Sequence, residues 1–185
     1  MKLNLSKMDS PLGELLLVTD QQEQLRALDF ADHQAHLRRS LREQFVSFEL
    51  VDTPPLKYIA AALQSYFDGN LDALNGIFTM TSGSALQREV WAALRNIPGG
   101  TTTSYGDLAR ALGYDDPRMA IEIGAANGAN PIAIVVPCHR VIAKNGDLKG
   151  YAWGLERKRW LLEHERALPP ARPLSPALEA RLPGF

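Results

Sequence analysis

The sequence is short of three things: cysteine, long apolar runs and positive charge. Its single cysteine, Cys138, excludes an intramolecular disulfide. The four histidines, His33, His36, His139 and His164, lack the spacing of a structural zinc site, so neither metal nor cofactor is expected. His33 and His36 read as a surface or satisfied pair. No stretch approaches the roughly 18 apolar residues of a membrane span, and Met1 to Pro11 lacks a signal-peptide run. The default expectation is a cytoplasmic, monomeric protein with no membrane partner. A net charge of −1 carries no basic footprint, so composition by itself argues against a phosphate-binding surface.

What is present is an ordinary globular composition, 45% hydrophobic and 22% charged, long enough for one large domain or two small ones, each with its own core. Leu3 to Met8, Glu14 to Thr19 and Leu25 to Phe30 are short apolar runs separated by turn signals such as Ser10-Pro11-Leu12-Gly13. They predict an antiparallel meander. His33 to Phe45 and Leu56 to Phe67 have helical spacing. The texture changes between Ile77 and Gly83. The expected fold is therefore α+β, with an N-terminal antiparallel-sheet domain with helices over 1–82 and a mainly helical C-terminal domain over 83–167. A tail over 168–185 holds five of the twelve prolines and reads as a loosely ordered extension.

In the second segment Ser84 and Gln87 form a capping-box pattern before the apolar face Leu86, Val90, Trp91 and Leu94. Pro98-Gly99-Gly100 stops that helix. Ser104 to Leu112 predicts a short helix ended by Gly113, and Asp116-Pro117 opens another running to about Asn127. Two short helices joined at a glycine outline a helix-turn-helix. Ala120, Gly124, Ala125 and Ala126 on the second suit either close approach to another surface or tight core packing. Pro131 to Val136 reads as a buried extended segment leading into Pro137-Cys138-His139-Arg140, and a final helix is expected from Leu155 to Arg166.

A thiol with an ordinary pKa of about 8.5 is mostly protonated at neutral pH, so a reactive cysteine needs a base or a positive field. Cys138-His139-Arg140 offers both residue types. Neighbouring side chains on an extended segment point apart, however, so direct contact between Cys138 and His139 is not assured, and a bridging water could join them. A carboxylate of the final helix could orient the imidazole, and spacing leaves Glu156, Glu163 and Glu165 all open.

The run Asn130-Pro131-Ile132 through Val136-Pro137-Cys138-His139-Arg140-Val141-Ile142 resembles the active-site signature of the alkylguanine-DNA alkyltransferases. The likeness extends over Ala85-Leu86-Gln87, Val90-Trp91, Ile97-Pro98, Ser104-Tyr105, Ala126-Asn127-Gly128, Gly150-Tyr151, Arg157-Lys158, Leu161-Leu162 and His164-Glu165. It implies DNA repair by irreversible transfer of an alkyl group, mainly methyl, from oxygen-6 of guanine to Cys138, once per molecule. The partner would be alkylated DNA, double- or single-stranded.

The same resemblance makes His139 the base acting through water, Glu165 its carboxylate, Tyr105 the proton donor to the leaving base and Asn130 the brace of the cysteine turn. Backbone carbonyls at Cys138 and Val141 would read a flipped guanine, with the Ala152 amide and Tyr151 completing the pocket. Arg118, Ala120, Ile121, Gly124 and Arg140 would meet DNA. Three positions depart from the pattern. Ile121 stands where the family usually has arginine, and an apolar wedge can fill the same gap, with Arg118 supplying charge. Glu122, with Asp115 and Asp116, should repel phosphate. Trp153, often glycine, is expected to narrow the pocket mouth and favour methyl over benzyl lesions, unless it packs inward. The alternatives are a non-catalytic lesion binder, which would lack the cysteine, transfer from single-stranded or free alkylated nucleobase, and a thiol hydrolase.

Overall fold

The computed structural model describes residues 1–168; the tail expected from 168 onward lies, after that residue, outside the described part. The meander forms as spaced. β1 (Lys2–Met8), β2 (Leu15–Thr19) and β3 (Leu25–Phe30) pair antiparallel, with Leu5 opposite Val18 and Leu17 opposite Leu28. A helix, α1 (Gln34–Gln44), then crosses over to a strand that hydropathy did not reveal, β4 (Glu49–Asp52). It joins β1 in parallel, so the sheet is mixed, in the order β3-β2-β1-β4. The fourth strand has only four residues and none is fully buried, so neither a period of two nor an apolar run marks it.

Both faces of the sheet are covered. Leu3, Leu16, Val18 and Ala27 pack under Leu37 and Leu41 of α1. On the opposite face Leu15, Leu17, Leu28 and Phe30 meet Ile59, Leu63 and Tyr66 of α2 (Lys57–Phe67), and the same cluster continues into Val90, Leu94, Ile132 and Leu161. The larger core is thus shared by both halves of the chain. Backbone bonds reinforce it. The Leu28 amide donates to Pro131 O at 3.1 Å and the Ala133 amide donates to Leu28 O at 2.9 Å, so the segment before Cys138 lies along the free edge of β3.

The second half opens with α3 (Ala85–Leu94), whose capping box is complete: Ser84 Oγ accepts from the Gln87 amide and Gln87 Oε1 accepts from the Ser84 amide. α4 (Tyr105–Ala111) is capped by Ser104 and ends near Gly113, whose φ of +83° suits a residue without a side chain. α5 (Met119–Gly128) packs on α4 as the second helix of the pair. It starts two residues later than Pro117, because Asp116 uses its carboxylate on the Arg118 amide in the preceding turn. Two short strands, β5 (Thr103–Ser104) and β6 (Val141–Ile142), pair in parallel, and α6 (Leu155–His164) closes the fold. Among the described residues no helix is long and apolar enough to cross a membrane.

A buried carboxylate fastens the two halves. Asp29 Oδ1 accepts from the Trp153 indole at 2.7 Å and from the Phe30 amide at 2.8 Å, while His36 Nδ1 stands 2.6 Å from Oδ2. The guanidinium of Arg157 lies over the Phe30 ring and reaches Asp32 and Leu12 O. Asp29→Ala strands these buried donors, so we expect it to cost roughly 3 kcal/mol of stability, read as a lower urea midpoint. A change under about 1 kcal/mol would show that the junction does not hold the halves together.

Candidate active site

Cys138 sits where the edge segment turns into a short 3-10 turn, Cys138–Arg140, ahead of β6. The approach is tightly wound. Ile134 is held at φ +66°, rare for a β-branched residue, and is buried. Pro137, at φ −81° and ψ +61°, closes an inverse γ-turn in which the Cys138 amide donates to Val136 O at 2.8 Å. A buried asparagine ties the winding together. Asn130 Nδ2 reaches Val136 O at 2.8 Å, Ile132 O at 3.2 Å and Cys138 Sγ at 3.1 Å, and its Oδ1 accepts from the Ile132 amide. The bracing role expected of Asn130 thus has a geometry, and that geometry includes the sulfur.

The next residue pairs with the end of the final helix. His139 Nε2 stands 2.9 Å from Glu165 Oε1, both side chains fully buried. Of the three carboxylates left open by spacing, Glu165 is the one that meets His139; Glu163 pairs with Arg159 and Glu156 is exposed. An ionised carboxylate only accepts, so Nε2 carries the proton and Nδ1 presents its lone pair. Nδ1 is buried and has no hydrogen-bond partner among the described residues. Burial holds His139 below the ordinary imidazole range; Glu165 opposes this, and Arg140 and Lys158 add to it.

The carboxylate itself is ionised. Burial would raise Glu165, but hydrogen bonds and charge from His139 and Arg140 outweigh it and hold the group far below the usual carboxylate range. The thiol behaves oppositely. Burial pushes Cys138 up to about 11, against the pull of the Asn130 hydrogen bond and the Lys158 charge. Cys138 is only 2% exposed. The resting site is a neutral thiol beside a neutral imidazole, so the positive field of the signature does not by itself ionise the sulfur.

Several site residues expected from sequence fall elsewhere. Arg140 does not face DNA: it is buried, its Nε and Nη2 donate to the two oxygens of Glu165 at 2.8 and 2.9 Å, and its Nη1 donates to Ile97 O. A guanidinium adjacent to a buried carboxylate is drawn inward. Trp153 does not narrow a pocket mouth either. It is 1% exposed, anchored by Asp29 and packed edge-on to Phe30, His36 and Tyr151. His33 and His36 are the satisfied pair, each beside an aspartate.

The Tyr105 hydroxyl donates to Lys149 O at 3.0 Å, and a Cβ added at Gly124 would stand 3.7 Å from its ring. Tyr151 lies edge-on between His139 and Trp153, its hydroxyl buried and without a hydrogen-bond partner among the described residues. Ala152 is exposed in the loop beside it. On α5, Ile121 is 74% exposed, Glu122 is exposed and Ala120 half-buried. Arg118 grips Asp116 with Nε and Nη2, so its charge is already engaged.

Sequence reasoning missed three side chains. Lys158, fully buried, donates to the carbonyls of Val141, Lys149 and Gly150. Asn127 reaches Cys138 O at 3.4 Å, and the Tyr66 hydroxyl donates to Glu165 Oε1 at 2.7 Å. Lys158 and Asn127 lay within the family-like stretches, but Tyr66 is a helical aromatic of the first half and carries no local signal.

Fold and site together define a protein with a buried, braced cysteine and a histidine-carboxylate pair packed behind a helix-turn-helix. The DNA binding domain of 6-O-methylguanine DNA methyltransferase matches residues 85–167, and the ribonuclease-like domain of the same family matches residues 4–78. The chain belongs to the 6-O-methylguanine DNA methyltransferase family. A methylated-DNA--protein-cysteine methyltransferase of Salmonella typhimurium is 46% identical over 161 residues, 86% of this chain and 93% of its own. One from Methanosarcina acetivorans is 37% identical over 157 residues, 85% of this chain and 94% of its own. The crystal structure of Mycobacterium tuberculosis OGT in complex with DNA is similar at a TM-score of 0.73 and 37% identity, covering 89% of this chain and 93% of that one.

The raised thiol gives a direct expectation. In the DNA-free protein, thiolate absorbance of the wild type minus that of Cys138→Ala should titrate near 11. The sign follows from burial, which disfavours the anion. A midpoint below the ordinary thiol value of about 8.5 would mean that the resting thiol is already activated.

Proposed function

We propose that Cys138 is the alkyl acceptor, with His139 as its base through one bridging water and Glu165 as the carboxylate that fixes the imidazole. As a member of this family the chain is a DNA-repair enzyme that moves an alkyl group from DNA to a protein cysteine. The single observation that carries the assignment is the buried pairing of His139 with Glu165 directly behind a cysteine braced by Asn130.

The step balances simply. The thiol proton passes to Nδ1 of His139, Sγ attacks the alkyl carbon, the new S–C bond forms and the bond from carbon to oxygen-6 breaks. The electron pair stays on guanine, and a proton from Tyr105 neutralises it. Burial raises the cost of a free thiolate, so proton removal and attack belong together. The thioether product has no second nucleophile to cleave it, which limits each molecule to one transfer.

A base must leave the duplex to reach a thiol this buried. Cys138 O and Val141 O, the carbonyls proposed to read guanine, already accept from Asn127 and Lys158. A carbonyl has two lone pairs, and the 3.4 Å Asn127 contact is the weaker one for an incoming base to displace. Ile121, exposed on α5, supplies the apolar wedge for the vacated stack. Exposed ion pairs are weak, so Arg118 can exchange Asp116 for a phosphate. The surroundings of Trp153 support a pocket whose loop is fixed by the first domain.

A lesion binder without transfer chemistry has no use for the cysteine brace. Incubation with duplex DNA containing O6-methylguanine should increase the intact mass by one methylene equivalent, hydrogen replaced by methyl. Cys138→Ala should show no gain. Methylation of the wild type at another residue, or none with duplex and single strand alike, would refute the assignment.

A further inference from the structure

Glu165 Oε1 is crowded. It accepts from His139 Nε2 at 2.9 Å, from Arg140 Nη2 at 2.9 Å and from the Tyr66 hydroxyl at 2.7 Å, while Oε2 accepts from Arg140 Nε at 2.8 Å. The tyrosine bond is the shortest of the four and the only one that comes from the first half of the chain. Tyr66 belongs to α2, is 0% exposed, and packs edge-on to Phe67 and His164. His164 Nε2 in turn lies 2.9 Å from Tyr66 O. Burial, then the Glu165 charge and hydrogen bond, keep the phenol protonated far beyond the ordinary tyrosine range, so it is a donor at every physiological pH.

We propose that Tyr66 is a positioning residue of the alkyl-transfer site, its hydroxyl locking Glu165 and drawing electron density from the oxygen that binds His139. The inference rests on the roles assigned above to His139 and Glu165. Two donors that share one carboxylate oxygen compete: each weakens the acceptor seen by the other. Tyr66 therefore limits how strongly Glu165 can stabilise an imidazolium. It acts in the same direction as burial, keeping His139 neutral and able to take a proton. The charged and titratable groups around the carboxylate are His139 and Arg140 on the cysteine turn, Tyr66 on α2, Lys158 and His164 on α6, and the buried Tyr151 and Cys138. Among these, Tyr66 can be altered without changing a charge. The first domain would then supply part of the reaction centre as well as a platform for it.

Tyr66→Phe removes the hydroxyl and keeps the ring. In single-turnover methyl transfer from duplex DNA, the acidic limb of the pH–rate profile should move to higher pH, because the freed Oε1 makes His139 easier to protonate. The rate at neutral pH should fall about five-fold, with affinity for methylated duplex, measured on a Cys138→Ser background, unchanged. In Glu165→Gln the same change should have little further effect, since the two groups act as one unit. Phe67→Leu disturbs the packing beside Tyr66 but leaves the hydroxyl; it should lower Tm without moving the limb.

An unmoved limb and rate in Tyr66→Phe, with Glu165→Gln slow, would overturn this inference and leave the site assignment standing. The same holds if Phe67→Leu reproduces the effect of Tyr66→Phe, because packing would then explain it. A Glu165→Gln protein that transfers as fast as the wild type would overturn the assignment and this inference together.

Discussion

The site depends on a carboxylate that is 1% exposed and almost saturated with donors. Burying an ionised Glu165 would be prohibitive alone, and breaking such a cluster by removing one partner typically costs about 3–5 kcal/mol. Arg140 offsets part of that penalty from the same turn that carries Cys138. The signature's arginine is thus an internal counter-ion, and the contiguity of Cys138, His139 and Arg140 has a physical reason. One short turn delivers the cysteine, the histidine and the charge that lets the histidine's carboxylate exist.

From this constraint the resting chemistry follows. A carboxylate fully occupied by Arg140 and Tyr66 is a moderate partner for imidazole, and burial adds to that, so His139 rests neutral. The thiol rests neutral as well, with Asn130 donating to sulfur and Lys158 contributing a positive field. A permanently ionised cysteine in a buried site would invite oxidation and stray alkylation. A neutral pair that exchanges a proton only when an electrophilic carbon is in place keeps a single-use nucleophile intact until it is needed.

Much of this was legible in sequence where the signal is local. The meander, the capping box at Ser84, the glycine-terminated α4 and the buried approach through Pro131 to Val136 all follow from short-range pattern. The Pro-Cys-His-Arg core carries the family. What sequence did not reveal depends on pairing across the chain. β4 is too short to have a period, and its parallel partner lies 47 residues earlier, Lys2 standing opposite Glu49. The resemblance put Arg140 at DNA, and the bulk of Trp153 at a position often glycine put it at the pocket mouth unless it packed inward. Both are held inside by carboxylates far away in sequence, Glu165 and Asp29. Tyr66 was invisible for the same reason: its partner is 99 positions distant.

The shared core explains why the two halves work as one body. Leu28 in β3 bonds the backbone of the cysteine approach, Asp29 holds the loop of Trp153, and Tyr66 reaches Glu165. The most direct test of the central claim is the protonation of His139 itself, read from its ring 15N shifts in the DNA-free protein at neutral pH. The account predicts a neutral imidazole with the proton on Nε2 and a bare Nδ1. An imidazolium, or a proton resident on Nδ1, would contradict it.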